Sequence, residues 1–489
     1  MNELLSLLPI EIWNDRFFTG SWVRSALPAS SVIEPATGEP LGKIGMASAE
    51  SIADSSRIAR ATQPDWIALP YEERAAVLRK AAQVAEGHFT EIVEWLIRES
   101  GSTRAKAAFE TSLTIKALHE ASGLPSRSTG EVLPSTPGRL SIARRRPLGV
   151  IGVISPFNFP LYLAMRAVAP ALALGNSVVL KPDPRTAVCG GFVIARIFEM
   201  AGLPQGMLHV LPGAAEAGAA LVADANVAMI QFTGSTGAGR KVGEAASRHL
   251  KKVSLELGGK NSLIVLDDAD LDIAIANATW GAYLHQGQIC MSTGRLLVQR
   301  GIYNQFVERL VAKARSLTVG NPAQSEVALG PLINEQQRDH VYRVVQAAQR
   351  AGARLDVGGS YDGLFFQPTV LSDVQPTNPA FHEEVFGPVA IVVPFDSDAD
   401  AVQLANDTEY GLSAAIISKD VGRALNLGER LRTGLLHIND QTVNDEVINP
   451  FGGVGASGNG TSIGGAANGE EFTQWQWLTL KGEAPAYPL

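Results

Sequence analysis

The chain has 489 residues, 46% of them hydrophobic and 18% charged, which excludes global disorder and leaves room for several cores without disulfides or metals. At about 150 residues per domain the length predicts roughly three domains. Lys and Arg total 41 against 49 Asp and Glu, a net charge of −8, which argues against a general nucleic-acid binder because phosphate binding is driven by cationic surface.

The opening segment MNELLSLLPIEIWNDRFF is acidic and lacks a basic start, so it does not read as a secretory signal. Residues 48–121 repeat Ala, Ile, Leu and Val at three- and four-residue spacing and predict helices. Residues 124–138 are rich in Ser, Pro and Gly and read as a loop. The next stretch, LSIARRRPLGVIGVI, alternates and then turns wholly apolar, as a strand entering a core does. The run from Gly149 to Leu180 is apolar enough to need a membrane check, but Pro156, Asn158, Pro160, Arg166, Pro170 and Asn176 interrupt it. No clean stretch of about 20 apolar residues survives, so it reads as strand, loop, helix, strand.

Short apolar runs follow at 178–182, 207–211, 228–232 and 252–257, with helical stretches between them. This βαβ rhythm predicts a parallel sheet covered by helices. It repeats after residue 260, with NSLIVL, RLLVQ, VALG, AIVVPF, SAAIIS and GLLHIN as strands and helices near 271–284, 302–316, 335–351 and 421–431. Two α/β units therefore join near 256–260. The Gly-rich, then aromatic ending (EEFTQWQWLTL, then APAYPL) is too short for a domain and predicts a tail strand docked on another element or subunit.

The two cysteines, Cys189 and Cys290, form no disulfide framework and no zinc pattern, which predicts a reducing cytoplasm. A lone Cys is usually a small buried hydrophobe, and Cys189 in TAVCGGFVIARIF fits that reading. Cys290 in HQGQICMSTGR does not: Gly287, Gln288, Ser292, Thr293 and Gly294 predict a loop whose backbone approaches a ligand closely. Glu256 ends an apolar strand before Gly258-Gly259, where α/β folds place functional groups, although a strand-end Glu can simply be solvated. A carboxylate pair, Glu383-Glu384, precedes a turn of Phe386, Gly387 and Pro388. Asn158 lies in SPFNFP, where two prolines hold an extended backbone; it is either an oxyanion donor or a turn residue. Gly234, Ser235 and Gly239 follow a strand and open a helix, whose free N–H groups attract phosphate. Lys181 ends another strand and can reach a ribose hydroxyl or a phosphate.

Seven motifs occur in one order: PFNFP, LKP, FTGST, LELGGK, GQIC, EEVFGP and PFGG. In this the chain resembles the aldehyde dehydrogenase superfamily over nearly its full length. Through LAMRAVAPALALGN, VLKPD, HQGQICM, LHIND, PFGGVGASG and the terminal APAYPL it is most similar to the bacterial aromatic (benzaldehyde and vanillin-type) branch.

The resemblance implies an α/β fold of two Rossmann-like parallel-sheet domains plus a small β oligomerisation element. The NAD(P)-binding domain would span 1–123 and 149–256, the catalytic domain 257–455, and the oligomerisation arm and tail 124–148 and 456–489. It implies NAD- or NADP-dependent oxidation of an aromatic aldehyde to the acid, with no metal, in a cytoplasmic homodimer or homotetramer. Cys290 would be the nucleophile, Asn158 and the Cys290 N–H the oxyanion donors, and Glu256 the base that activates water. Lys181 would hold the adenosine ribose, Gly234, Ser235 and Gly239 the pyrophosphate, Gly213 the adenine and Leu257 the carboxamide. Glu384 would hold the nicotinamide ribose, with Phe386 beside the ring.

The chain also departs from the family pattern. Many NAD-preferring relatives carry Glu three residues after the Lys, where this chain has Pro184 between Asp183 and Arg185. That removes a repulsion against a 2′-phosphate, and Arg185 could pair with one, while Asp183 argues the other way. Phe157, Gly455 and His285 replace the usual Trp, Lys and Asn. The candidate substrate pocket is Phe157, Tyr162, Arg166, His285, Ile289, Met291 and Phe451, a flat apolar wall suited to an aryl ring. Arg166 either orients a ring substituent or holds a structural carboxylate. The rival readings are broad or aliphatic aldehyde oxidation, a CoA-acylating enzyme, against which Glu256 counts, and a non-enzymatic scaffold.

Overall fold

A computed structural model describes residues 6–487. The first five residues of the opening segment, and Pro488 and Leu489 of APAYPL, lie outside them. The first sheet has a parallel centre in the order Lys252–Glu256, Val227–Thr233, Val150–Ile154, Ser177–Lys181 and Leu208–Val210. The order reverses around the Val150–Ile154 strand, so the carboxyl ends of its neighbours open a crevice there. Sequence reading missed the continuation: Arg16–Phe18 pairs antiparallel with Leu208–Val210, and Pro40–Ile44 and Ser30–Ile33 extend that edge. These strands are short and only partly apolar, so no periodicity marks them.

The apolar run after Gly149 becomes the strand Val150–Ile154, the helix Pro160–Ala173 and the strand Ser177–Lys181. Every residue of that helix is buried, because the helices Ala49–Ala68, Tyr71–Gly87 and Arg104–Gly123 close over it and the sheet. Burial of each Leu or Val there contributes about 1.5–3 kcal/mol. Among the described residues no helix is long and apolar enough to cross a membrane.

The second sheet runs Arg354–Val357, Thr369–Ser372, Val389–Phe395, Thr293–Gln299, Asn261–Val265, Ser413–Ile417 and Leu435–Ile438, parallel except at its first pair. The expected VALG strand is absent; Leu329 makes only an isolated bridge to Val319. Four residues separate Glu256, the last strand residue of the first sheet, from Asn261, the first of the second. The segment read as a loop at 124–138 contains the strand Gly130–Leu133. That strand pairs with Arg139–Pro147, which pairs in turn with the tail strand Thr473–Lys481.

Candidate active site

Two hydrogen bonds bring the chemistry together at the seam between the sheets. The Asn261 Nδ2 donates to the carbonyls of Cys290 and Ser292, both at 2.8 Å, and its Oδ1 accepts from Ser413 N at 3.0 Å. The Cys290 loop is thereby tied five residues downstream of Glu256. The two glycines between are required by proximity. A side-chain carbon on Gly259 would lie 2.6 Å from the Cys290 carbonyl oxygen, and one on Gly258 would lie 2.5 Å from Glu384 Oε2. The Cys290 loop itself turns through three left-handed residues, His285, Gln286 and Gly287.

Glu256 is buried, and neither carboxylate oxygen has a hydrogen-bond partner in the protein. Burial drives its pKa well above the ordinary carboxylate value; Arg166 opposes the shift, and Asp445 and Glu471 add to it. The raised pKa makes this carboxylate, when ionised, a stronger proton acceptor than an exposed one, with both oxygens free to take the proton. Burial also pushes the Cys290 thiol up to about 12, with Glu384, Glu256 and Asp445 contributing negative charge. The resting thiol is therefore neutral and needs a base before it can attack.

Asn158 sits between the strand Val150–Ile154 and the helix Pro160–Ala173. Its Nδ2 donates to the Gln288 carbonyl at 2.9 Å, two residues before Cys290. One amide N–H is committed there, and this sets the plane in which the second points.

A cleft of about 680 Å³ runs along the seam. Its lining includes Phe157, Asn158, Lys181, Asp183, Arg185, Gly234, Ser235, Leu257, Cys290, Glu384 and Phe386, all given a role from sequence. Ser235 caps the helix Thr236–Arg248 with its side chain and leaves that helix start open to the cleft. Glu384 Oε1 accepts from Gly259 N at 2.9 Å, and burial raises its pKa to about 7. Gly239 lies buried against Leu257, and Gly213 packs against Ala217; neither lines the cleft. Phe157, grouped with the substrate wall on sequence, lies edge-on to Phe386 and beneath Arg185 in the cleft lining. Arg185 is held by Asp183 through a two-point ion pair.

Behind Cys290, Tyr162, Ile289, Met291 and Phe451 gather with Phe159, Leu163 and Val443 into one apolar cluster against which the cysteine packs. Arg166 lies over the Phe451 ring at 4.4 Å and binds Asp445 at 2.8 Å. Tyr162 Oη donates to the same Asp445 oxygen at 3.0 Å. Of the two sequence readings of Arg166, the structure thus places it on a carboxylate of the protein. His285 is buried edge-on to Phe159, and burial holds its ring neutral.

Sequence reasoning missed Asn261, Asp445 and Gln337. Gln337 donates to the Phe386 carbonyl at 2.9 Å and holds a residue whose φ is +52°. None of the three lies in a motif with chemical meaning. The only available signal was the Asn directly after the GGK run.

Two parallel-centred sheets that meet at a cleft lined by a free cysteine, a carboxylate and a helix start are the arrangement of an α/β dehydrogenase. The chain belongs to the aldehyde dehydrogenase family, whose sequence model matches residues 22–478. It is 56% identical over 486 residues to a vanillin dehydrogenase of Amycolatopsis sp. (strain ATCC 39116 / 75iv2), covering 99% of this chain and 100% of that one. It is 48% identical over 479 residues to the benzaldehyde dehydrogenase [NAD(+)] of Pseudomonas putida, covering 98% of each. Among solved structures it is similar to the betaine aldehyde dehydrogenase of Staphylococcus aureus in complex with NAD+. The TM-score is 0.94 at 30% identity, over 98% of this chain and 97% of that one.

Proposed function

We propose that the protein oxidises aromatic aldehydes of the benzaldehyde or vanillin type to carboxylic acids, with NAD or NADP as the hydride acceptor. The observation that carries the reading is the position of Cys290. It lines the cleft beside Asn158 and Glu384 on one side and packs into the aromatic cluster of Tyr162 and Phe451 on the other. The vanillin and benzaldehyde dehydrogenase relatives support the aryl substrate class.

The cleft fits a dinucleotide. Lys181 would hold the adenosine ribose, Gly234, Ser235 and the helix start at Thr236 the pyrophosphate, Leu257 the carboxamide, Glu384 the second ribose and Phe386 the ring, while Gly213, the sequence candidate for the adenine wall, lies outside the cleft lining. A side chain at 258 would collide with Glu384, so the glycine leaves room for that carboxylate in the cleft lining. When bound, the nicotinamide supplies the acceptor for the aldehyde hydride.

The protein's own groups do the rest. Cys290 gives its proton to Glu256, which releases it to solvent, and the sulfur bonds to the carbonyl carbon, giving a thiohemiacetal. The carbonyl electron pair moves to oxygen, where the free Asn158 N–H and the Cys290 N–H hold it. Loss of hydride restores the carbonyl as a thioester. Glu256 then takes a proton from water as the water oxygen adds, the C–S bond breaks, and the acid leaves with the thiol regenerated.

A panel from benzaldehyde through its hydroxylated and methoxylated forms to short aliphatic aldehydes, each with NAD and with NADP, tests the reading. Aryl preference with free acid as product supports it; aliphatic preference, or product only with CoA, overturns it. The strand memberships also support a cofactor unit of 1–123 and 149–256 and a catalytic unit of 257–455. The sheet of Gly130–Leu133, Arg139–Pro147 and Thr473–Lys481 carries exposed Val132, Trp475 and Trp477, which supports assembly as a homodimer or homotetramer. Two free thiols support a reducing, cytoplasmic setting.

A further inference from the structure

We infer that Lys106, acting with Glu110, is a positioning residue for the oxyanion donor Asn158; the inference rests on the reaction proposed above. Both residues lie on the helix Arg104–Gly123, one turn apart, and both side chains are wholly inaccessible. The Lys106 ammonium meets Glu110 Oε2 at 2.5 Å. It donates a second hydrogen to the backbone carbonyl of Asn158 at 2.7 Å and sits 4.1 Å from the centroid of the Phe159 ring. Two of its donors are therefore occupied and its charge lies over the Phe159 ring, so two of its three contacts are with the segment that carries Asn158.

Glu110 completes the clamp. Its Oε1 accepts from Leu161 N at 2.9 Å and Tyr162 N at 3.2 Å. These are early N–H groups of the helix Pro160–Ala173, and the residue before that helix, Phe159, supplies no side-chain cap. A carboxylate from another helix satisfies them, and its charge suits a helix start. One ion pair thus grips the chain on both sides of Phe159: the carbonyl of Asn158 from Lys106, the N–H groups after Pro160 from Glu110. A displacement of the Asn158 backbone, which would carry the side-chain amide with it, breaks the Lys106 bond.

The arrangement is more than a contribution to stability. A buried ion pair can often be replaced by apolar residues at no loss of stability, so its presence alone says little about folding energy. Here the bonding capacity left after pairing goes to the backbone on either side of the oxyanion donor. That donor accelerates the reaction only when its N–H lies within hydrogen-bond reach of the developing charge, and loss of such a donor costs about 10²–10³ in rate.

The test is a double-mutant cycle on the full-length enzyme. The pair Lys106→Met with Glu110→Gln leaves no orphan charge in the core. It is made alone and in the Asn158→Ala background, with single-turnover reduced-cofactor formation from benzaldehyde as the readout. The expected result is a fall of about tenfold or more in that rate, with cofactor affinity and the rate of Cys290 alkylation unchanged. In the Asn158→Ala background the same pair has no further effect. Multiplying losses in the two backgrounds, or a folded pair variant at full rate, overturns the inference. If the pair variant does not fold, Lys106→Arg enters the same cycle, with the same two outcomes deciding. Full activity in Asn158→Ala alone would instead overturn the oxyanion role itself, so the two failures are distinguishable.

Discussion

Arg185 and Asp183 bind each other side by side, Nε to Oδ1 at 2.9 Å and Nη2 to Oδ2 at 2.6 Å, with the guanidinium 4.2 Å over the Phe157 ring. Asp183 also accepts from the Arg185 backbone N–H at 3.0 Å. Burial works against the charge on Asp183, yet the Arg185 hydrogen bonds and positive charge hold its pKa below the ordinary value. The cation that sequence offers to a 2′-phosphate is thus already engaged by a neighbour two residues away.

This sets the cofactor prediction. Asp183→Ala frees the guanidinium and raises kcat/KM with NADP relative to NAD, whereas Arg185→Ala lowers the NADP value more than the NAD value. Steady-state kinetics of both variants with both cofactors measure the ratio. An unmoved ratio in both removes Arg185 from cofactor selection.

The two cysteines divide cleanly. Cys290→Ala abolishes aldehyde oxidation while cofactor still binds, since the thiol is needed for bond formation and not for dinucleotide contact. Cys189 lies buried in the irregular helical turn Val188–Phe192, where its N–H donates to Glu99. Cys189→Ala keeps most activity and lowers stability by about 1 kcal/mol, the scale of a small buried truncation. Activity assays beside urea unfolding check both.

Glu256→Gln retains size and hydrogen bonding but removes the base. Steady-state turnover falls by about 10²–10⁴, and mass spectrometry of the stalled enzyme finds an aryl acyl group on Cys290. Normal turnover, or a stall without the adduct, shifts the base role to Glu383 or Glu384.

Thiol reactivity tests the electrostatics without any cofactor. With Cys290 pushed up to about 12, its alkylation by iodoacetamide climbs about tenfold per pH unit up to pH ~10 with no plateau. Glu384, raised to about 7 by burial, is ionised above that pH and neutral below it. Glu384→Gln therefore speeds alkylation near pH ~9, where it removes a negative charge, and leaves the rate near pH ~6 unchanged. A plateau close to neutrality would contradict the raised thiol pKa.

Asp445→Ala strands the buried Arg166 charge and costs about 3–5 kcal/mol of stability, while Tyr162→Phe, which removes one hydrogen bond to the same carboxylate, costs about 1 kcal/mol. Denaturant midpoints decide. Equal, small losses would mean that Arg166 finds another partner.

The sequence alone carried the strand–helix rhythm, the seam after Glu256 and the identity of the chemical groups. Each of these is encoded locally: an apolar run, a Gly-Gly after a strand, a cysteine among residues that do not pack. Tertiary structure decided what those groups touch. Arg166 chose a protein carboxylate because Asp445, hundreds of residues away, folds onto it, and Phe157 packs between Arg185 and Phe386 because both converge on it. The strands between Arg16 and Ile44 form only because the edge strand Leu208–Val210 offers unpaired N–H and C=O groups, which no local pattern records. The i, i+4 spacing of Lys106 and Glu110 on one helix is by itself that of an ordinary surface ion pair. They became a clamp on Asn158 only when the helix Pro160–Ala173 was buried beneath them, because a charge pair removed from water must spend all its hydrogen bonds on whatever backbone lies within reach.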